Sequence, residues 1–286
     1  MVTLQVHGDL KRQEKLLAMD LSGVIPAKIW LMTELFANFN SMDRIIKISN
    51  NIMALSHEVA ADLSAIINNA VRRSHHLNIA LSGGNTPRTF YSVLGTHYAL
   101  STEWKAVDFF WSDERCVPPG DRESNYRVAR EHFFERIKIQ AGKIHRIRGE
   151  DDPQTEAIRY SELIKKKVPF RFGFPVFDIV FLGLGTDGHI ASIFPGDEKV
   201  LSSVRTCEVA VHPETGQKRI TLTLPVINNA ERIIFLVSGK DKAEIVAEIL
   251  NNPDAKHYPA GMVNPHFGKI YWYMDLDAAS LLSQYA

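Results

Sequence analysis

The chain has 286 residues, and its 33 lysine and arginine residues equal its 33 aspartate and glutamate residues in number. This zero formal net charge provides no overall positive field for nucleic acid or an anionic membrane, so an anionic ligand has to be held by a few local cations. The two cysteines lack disulfide or zinc spacing, no apolar run is long enough to span a bilayer, and the N-terminus lacks the layout of a signal peptide, so the sequence predicts a cytoplasmic protein.

The first 41 residues differ in pattern from the rest of the chain. A charged run at 9–15 precedes an apolar run, and the first strand-then-helix pattern begins only after Met42. We interpret residues 1–41 as an N-terminal extension of unknown role, which is either the product of an upstream translation start or a docking helix. Residues 42–286 are predicted to form the main domain.

From Arg44 onward, short apolar runs alternate with amphipathic segments of helical periodicity. Strands are predicted at 45–48, 77–81, 107–111, 144–147, 177–182, 207–211, 219–224, 232–237 and 269–274. Helices are predicted at 50–74, from about 86, and at 125–136, 152–166 and 241–250. This alternation predicts an α/β fold in which a mainly parallel sheet carries helices on both faces. The second half is richer in strands, which predicts a smaller part with antiparallel pairing.

In a sheet of this kind, ligands bind beyond the carboxyl ends of the strands, so the residues after each strand are the candidates. The segment after the second predicted strand reads Ser82-Gly83-Gly84-Asn85-Thr86. Its two glycines allow close approach of a ligand, and the following helix points its N-terminal N–H groups at the loop, which favours phosphate. The alternative is a tight turn that uses glycine for its backbone conformation and Thr86 as a helix cap.

A charged segment, Asp113-Glu114-Arg115, follows the third predicted strand. Arg115 can bind a phosphate through two parallel hydrogen bonds. Asp113 and Glu114 can orient that arginine or contact the hydroxyl groups of a sugar. The alternative interpretation is a solvated charged loop.

The most informative segment, Gly183–Ser192, follows the apolar strand predicted to be central and buried. Its glycine spacing, GxGxxG, is typical of a dinucleotide site. That fingerprint requires a long helix after the third glycine, and Phe194-Pro195-Gly196 ends any helix after about two turns. The segment instead presents Asp187 and His189 together at a strand end.

A histidine at this position can act as a general base near neutral pH, and Asp187 can orient it or contact the substrate. The alternative is that His189 only caps a helix. Two cations also lie next to strand ends: Arg219 near the start of one strand and Lys240 just after another. Each alone is typical of a surface charge, but their recurrence beside strand ends predicts a convergent cationic pocket.

These segments resemble the 6-phosphogluconolactonase family, which is related to the glucosamine-6-phosphate deaminases. The resemblance extends in order from about Arg44 to the C-terminus and is carried by Leu81–Pro87, Trp111–Arg115, Gly183–Pro195, Arg219–Pro225, Ser238–Lys240, Pro259-Ala260 and Tyr271-Trp272. It implies a NagB/RpiA-like fold and hydrolysis of 6-phospho-D-glucono-1,5-lactone to 6-phospho-D-gluconate. It also implies a place in the oxidative pentose phosphate pathway, with no metal or coenzyme.

The resemblance further implies roles for individual residues. The family's catalytic histidine corresponds to His189, and Asp187 is assigned to catalysis beside it. The residues assigned to substrate binding are Ser82, Gly83, Gly84, Asp113, Arg115, Arg219 and Lys240. The implied partner is a small phosphorylated sugar lactone, with neither nucleic acid nor membrane, and the chain is expected to be a monomer or a small homo-oligomer.

A sugar-phosphate isomerase or deaminase of the glucosamine-6-phosphate deaminase type is the main alternative. In those relatives the histidine loop typically continues Ala-Phe-Asn-Glu-Pro, whereas this chain reads Ala191-Ser192-Ile193-Phe194-Pro195 and lacks the acid. The form of the segment Trp111–Arg115 likewise favours the lactonase. A sugar-phosphate sensor without enzymatic activity is a second alternative, and the presence of His189 argues against it.

Overall fold

The computed structural model describes residues 2–6, 44–252, 254–265 and 267–282. Its strands are β1 (Val2–Val6), β2 (Arg44–Ser49), β3 (Leu77–Leu81), β4 (Val107–Trp111), β5 (Asp113–Arg115), β6 (Phe170–Arg171), β7 (Phe174–Pro175), β8 (Ile179–Leu182), β9 (Cys207–Val211), β10 (Lys218–Leu222), β11 (Arg232–Val237) and β12 (Lys269–Asp275). Its α-helices are α1 (Ile52–Arg72), α2 (Asn85–His97), α3 (Asn125–His132), α4 (Pro153–Lys167), α5 (Glu198–Leu201), α6 (Leu224–Ile227) and α7 (Ala243–Asn251).

A seven-stranded sheet forms the centre of the molecule, in the order β1-β2-β12-β11-β8-β3-β4. The strands from β2 to β4 in that order are parallel, and β1 pairs antiparallel with β2 at the edge. Every residue of β3, β4 and β8 is buried, so both faces of these strands are covered, as expected for apolar strands in a parallel sheet. The predicted α/β class with a mainly parallel sheet is confirmed.

Helix α1 packs against β2 and β12 through one amphipathic face. The helix starts where the Asn51 side chain accepts hydrogen bonds from the N–H groups of Met53 and Ala54, at 3.0 Å each. These bonds satisfy two of the N–H groups that a helix start leaves without an intrahelical partner. Its buried positions recur at helical spacing: Leu55, Ser56, Val59, Ala60, Leu63, Ser64, Ile67 and Ala70.

A three-stranded antiparallel sheet, β5-β10-β9, begins two residues after the end of β4. Its register places Arg115 of β5 directly opposite Arg219 of β10. The predicted strand-rich part with antiparallel pairing is therefore confirmed. The sequence interpretation missed that the charged segment 113–115 is itself a strand of this sheet, since three charged residues in a row give no apolar alternation to identify it.

The strand predicted at 144–147 is wrong. Ile144 makes one isolated bridge to Phe109 at the edge of the main sheet. The next side chain, His145, then forms a hydrogen bond to Asp108 of β4. The backbone therefore leaves the sheet edge after a single contact instead of continuing along β4.

The predicted N-terminal extension is described only in part. Val2–Val6 form strand β1, while residues 7–41 lie outside the described residues, so the division after residue 41 stays a prediction. None of the helices in the described part of the chain combines the length and the hydropathy that crossing a bilayer would require.

Candidate active site

A cavity of about 310 Å³ opens beyond the carboxyl ends of β3, β4, β8 and β11. The residues that line it and were predicted for the site are Ser82, Gly83, Gly84, Asp113, Arg115, His189 and Arg219. They come from four separate segments of the chain. The parallel sheet aligns the ends of its strands along one edge, and the small sheet β5-β10-β9 brings Arg115 and Arg219 to the same place.

The loop after β3 brings its backbone close to the cavity at two glycines. Gly84 has a φ of +106°, a conformation in which a residue with a side chain is strained, and a Cβ on Gly83 would lie 1.8 Å from Oδ1 of Asn125. Gly84 is also the N-cap of α2, so no side chain covers the first N–H groups of that helix. Such a helix start favours binding of an anion.

Two guanidinium groups line the same cavity. Arg115 and Arg219 are cross-strand neighbours. Nη1 of Arg115 donates to the carbonyl of Glu123 at 2.6 Å, and Nε of Arg219 donates to Oε1 of Gln217 at 3.3 Å. Arg219 is 9% exposed, and burial together with the charge of Arg115 lowers its pKa. Two like charges held side by side are stabilised by a bound anion, which supports a phosphate site here.

The imidazole of His189 is oriented by Asp187. Nδ1 of His189 lies 2.6 Å from Oδ1 of Asp187, and the backbone N–H of His189 donates to the same oxygen at 3.2 Å. Burial raises the pKa of Asp187, but the hydrogen bonds from His189 outweigh burial and bring the pKa below its ordinary value. Asp187 is therefore a carboxylate near neutral pH, and because a carboxylate only accepts hydrogen bonds, the contact favours the tautomer of His189 with its proton on Nδ1.

A glycine makes room for this pair. A Cβ on Gly185 would lie 2.1 Å from Nδ1 of His189 and 2.3 Å from Oδ1 of Asp187. No helix follows His189, because its carbonyl accepts the N–H of Gly185 at 2.9 Å and residues 190–193 close a tight turn. The helix-cap interpretation of His189 is therefore wrong. The glycine spacing accommodates the Asp187–His189 pair rather than the long helix of a dinucleotide site.

Asp113 is buried at the wall of the cavity, with both carboxylate oxygens hydrogen-bonded. The Ser192 hydroxyl donates to Oδ2 at 2.8 Å, and Nδ2 of Asn125 donates to Oδ1 at 3.3 Å. Ser192 belongs to the histidine loop, while the Asn125 amide packs against Gly83. Asp113 therefore connects the loops that follow β3 and β8.

Glu114, the acidic neighbour of Asp113, does not line the cavity. Its buried carboxylate accepts the N–H groups of Asn125 and Tyr126 at 2.7 and 2.8 Å and the Ser124 hydroxyl at 3.0 Å. Burial raises the pKa of Glu114 to about 7, against these hydrogen bonds, which lower it. Glu114 fixes the start of α3 and thereby the position of Asn125.

The structure places Lys240 outside the cavity. Lys240–Lys242 form a short 3-10 turn after β11, in which Lys240 is exposed, whereas Lys242 lines the cavity and lies 3.4 Å from Asp241. Because such a turn has about three residues per revolution, side chains two positions apart point in different directions. The lysine of this segment that lines the cavity is therefore Lys242 rather than the predicted Lys240, and a role in substrate binding stays a prediction for either.

Asn125, Ser238 and Lys242 also line the cavity but were not among the predicted site residues. Ser238 follows β11 directly, and its hydroxyl lies 2.8 Å from that of Thr86. The rule that ligands bind beyond strand ends could have identified Ser238. The contact of Asn125 with Gly83 depends on how two distant loops meet, which no local pattern reveals.

The fold and the comparisons below define an α/β enzyme, and its candidate anion-binding cavity lies at the carboxyl edge of a parallel sheet. Residues 50–272 match the model of the family described as glucosamine-6-phosphate isomerases/6-phosphogluconolactonase, and the chain belongs to this family. The predicted resemblance is confirmed.

Individual relatives agree with this assignment. A protein named 6-phosphogluconolactonase from Haemophilus influenzae is 41% identical over 211 residues, which cover 73% of this chain and 89% of that protein. One of the same name from Treponema pallidum is 40% identical over 197 residues, which cover 69% of this chain and 82% of that protein. The solved structure of 6-phosphogluconolactonase from Trypanosoma brucei is 30% identical, with a TM-score of 0.74 over 83% of this chain and 98% of that one.

Proposed function

We propose that the chain hydrolyses 6-phospho-D-glucono-1,5-lactone to 6-phospho-D-gluconate, with His189 as the general base that activates water. The observation that carries this proposal is that His189 shares one cavity with the glycine loop and two guanidinium groups. Relatives named 6-phosphogluconolactonase support the same reaction. We assign the chain to the lactone-hydrolysing step of the oxidative pentose phosphate pathway.

In the proposed complex, the 6-phosphate binds at the cationic part of the cavity. The start of α2 supplies N–H groups, and Arg115, Arg219 and Lys242 supply positive charge. Guanidinium groups bind phosphate oxygens through paired hydrogen bonds. Binding energy from the phosphate, which is remote from the reacting carbon, then holds the lactone carbonyl near His189.

In the chemical step, Nε2 of His189 takes a proton from a water molecule whose oxygen attacks C1 of the lactone. A C–O bond forms and the carbonyl oxygen becomes an oxyanion, which backbone N–H groups of the glycine-rich loops stabilise. The carbonyl then re-forms, the bond between C1 and the ring oxygen breaks, and the ring oxygen takes the proton from His189. The product is the open-chain acid, which ionises at neutral pH.

Asp187 acts as a positioning residue in this scheme. Its carboxylate holds the proton of His189 on Nδ1, so that Nε2 keeps its lone pair for the water molecule. The same carboxylate stabilises the imidazolium that exists while His189 carries the second proton. This is a narrower role than the catalytic one assigned to Asp187 from the sequence.

The proposal is tested by a coupled assay in which fresh lactone is hydrolysed faster than its spontaneous background. Removal of a general base costs about 10²–10⁴-fold in turnover, so we expect that loss for His189→Ala, with product affinity retained. His97→Ala, at the exposed far end of α2, is the matched control and should keep wild-type turnover. Near-wild-type turnover of the His189 variant would refute the assignment of the base.

A sugar-phosphate isomerase or deaminase is the second candidate, because the family description covers both activities. The absence of a carboxylate in the segment Ala191–Pro195 speaks against it. Ammonia release from glucosamine 6-phosphate, measured on the same preparation, separates the two candidates. We expect none, and release faster than lactone hydrolysis would replace the proposal.

A further inference from the structure

Phe194, which has no role in the reaction described above, contacts both the imidazole and a guanidinium of the site. Its ring centroid lies 4.8 Å from that of His189, and the guanidinium carbon of Arg219 lies over the ring, 5.6 Å from the centroid. His212 packs against the same ring at 5.1 Å. Phe194 is 2% exposed, so one buried ring contacts the base and a phosphate-binding cation together.

A tight turn fixes the ring in this place. The backbone of residues 190–193 closes a hydrogen bond of 2.8 Å, and Ala191 within it has a φ of +48°, which is uncommon for a residue with a side chain. The Ser192 hydroxyl anchors the turn by donating to buried Asp113 at 2.8 Å. Because the turn is held from both sides, Phe194 has little freedom to move away from the site.

The contacts described above do not by themselves fix the orientation of the His189 ring or the position of the Arg219 guanidinium. The hydrogen bond to Asp187 fixes one edge of the His189 ring but leaves that ring able to pivot about the bond. A ring packed on the imidazole restricts this pivoting. For Arg219, the aromatic face attracts the cation and opposes the repulsion from the neighbouring charge of Arg115.

We propose that Phe194 is a positioning residue that keeps the His189 imidazole and the Arg219 guanidinium at a fixed separation. The phosphate bound by one group then places the lactone carbonyl at the other. This inference rests on the proposed function. Phe194 also belongs to the hydrophobic core, so the test has to separate positioning from packing.

The first test compares Phe194→Leu with Phe177→Leu. Phe177 is fully buried, packs edge-on against Phe110 and lies before β8, at the opposite end of the sheet from the cavity. Both variants lose a buried aromatic ring and should melt at a similarly lowered temperature. We expect kcat of the Phe194 variant to fall by about tenfold, because small misplacement of a base is costly, and kcat of the control to stay within twofold of wild type.

The second test is a double-mutant cycle on the affinity for inorganic phosphate, measured by NMR titration. A cation–π contact of ordinary strength corresponds to about fivefold in affinity, so Phe194→Leu should weaken phosphate binding by that factor. In an Arg219→Ala background the same substitution should cause no further loss. A role in packing alone would give equal losses in both backgrounds.

Three results overturn the inference. The first is a Phe194→Leu variant whose kcat and phosphate affinity both stay within twofold of wild type, and the second is an equal loss of kcat in Phe177→Leu. The third is an equal loss of phosphate affinity from Phe194→Leu with and without Arg219. Should the leucine variant not fold, Phe194→Met, which keeps an unbranched apolar side chain of similar length, carries the same expectations. If the wild-type protein does not accelerate lactone hydrolysis, the proposed function is wrong. The double-mutant cycle on phosphate affinity then tests by itself whether Phe194 stabilises Arg219.

Discussion

Replacement of Gly185 by alanine tests the geometry of the Asp187–His189 pair most directly. The added Cβ would lie 2.1 Å from Nδ1 of His189, which falls short of the 3.4 Å of ordinary packing by about 1.3 Å. The backbone of Gly185 is not in the left-handed region, so the strain from alanine is confined to its contacts with the Asp187 and His189 side chains. A displacement of about 1 Å can cost about 10²-fold in rate, or about 2.7 kcal/mol of transition-state stabilisation.

We therefore expect kcat of Gly185→Ala to fall by about 10²-fold in the lactonase assay, while the melting temperature changes by only a few degrees. The fold tolerates the change because both displaced side chains are partly exposed, Asp187 to 44% and His189 to 25%, and can move toward solvent. Gly142→Ala is the matched control, since a Cβ there meets nothing within 4 Å. Activity of Gly185→Ala within threefold of wild type would refute the reasoning, as would an equal loss in the control.

Two further predictions follow from the described contacts. Lys242→Ala should raise KM for the phosphorylated lactone by about fivefold, as expected for the loss of one partly exposed charged contact. Lys240→Ala should leave KM within twofold of wild type. A larger effect of Lys240→Ala than of Lys242→Ala would contradict the assignment of Lys242 as the cation that lines the cavity. Burial raises the pKa of Asp108, but hydrogen bonds from His145, Lys143 and His76 outweigh it and hold that pKa well below its ordinary value. The stabilisation is therefore fully present above the ordinary carboxyl pKa and is lost as the pH falls toward the folded-state pKa. Asp108→Asn should lower the free energy of unfolding by about 2 kcal/mol in urea titrations at pH 7 and by progressively less below pH ~4, and a deficit independent of pH would count against this account.

Local patterns predicted the main elements well where apolar runs are bounded by polar or turn residues. The strands at 77–81, 107–111 and 232–237 have the predicted bounds, because each is an apolar run buried in the sheet. The order of the strands could not be predicted from such runs, since an apolar strand fits any central position. The strand at 113–115 could not be predicted either, because this segment is a strand only through its pairing with β10.

The residues of the candidate site likewise fall into those that could be predicted from the sequence and those that could not. Residues in the loops that follow strands, such as Gly83 and His189, could be proposed as candidates because the parallel sheet places its strand ends at one edge. The choice between Lys240 and Lys242 depends on the rotation of one short turn. The contacts of Asp113 and Phe194 depend on where distant loops meet, so the sequence shows the residues without their partners.

The pairing of Arg115 with Arg219 across two strands places two mutually repelling positive charges at the cavity. Folding of the small sheet holds the two cations near each other, and under the proposed function a doubly charged phosphate ester bound beside them would offset this repulsion. Relief of this repulsion would contribute to the binding free energy of the phosphate ester. An uncharged sugar of the same shape would not gain that contribution. We therefore expect the site to prefer phosphorylated over uncharged sugars, and high ionic strength, which screens the same repulsion, should weaken that preference.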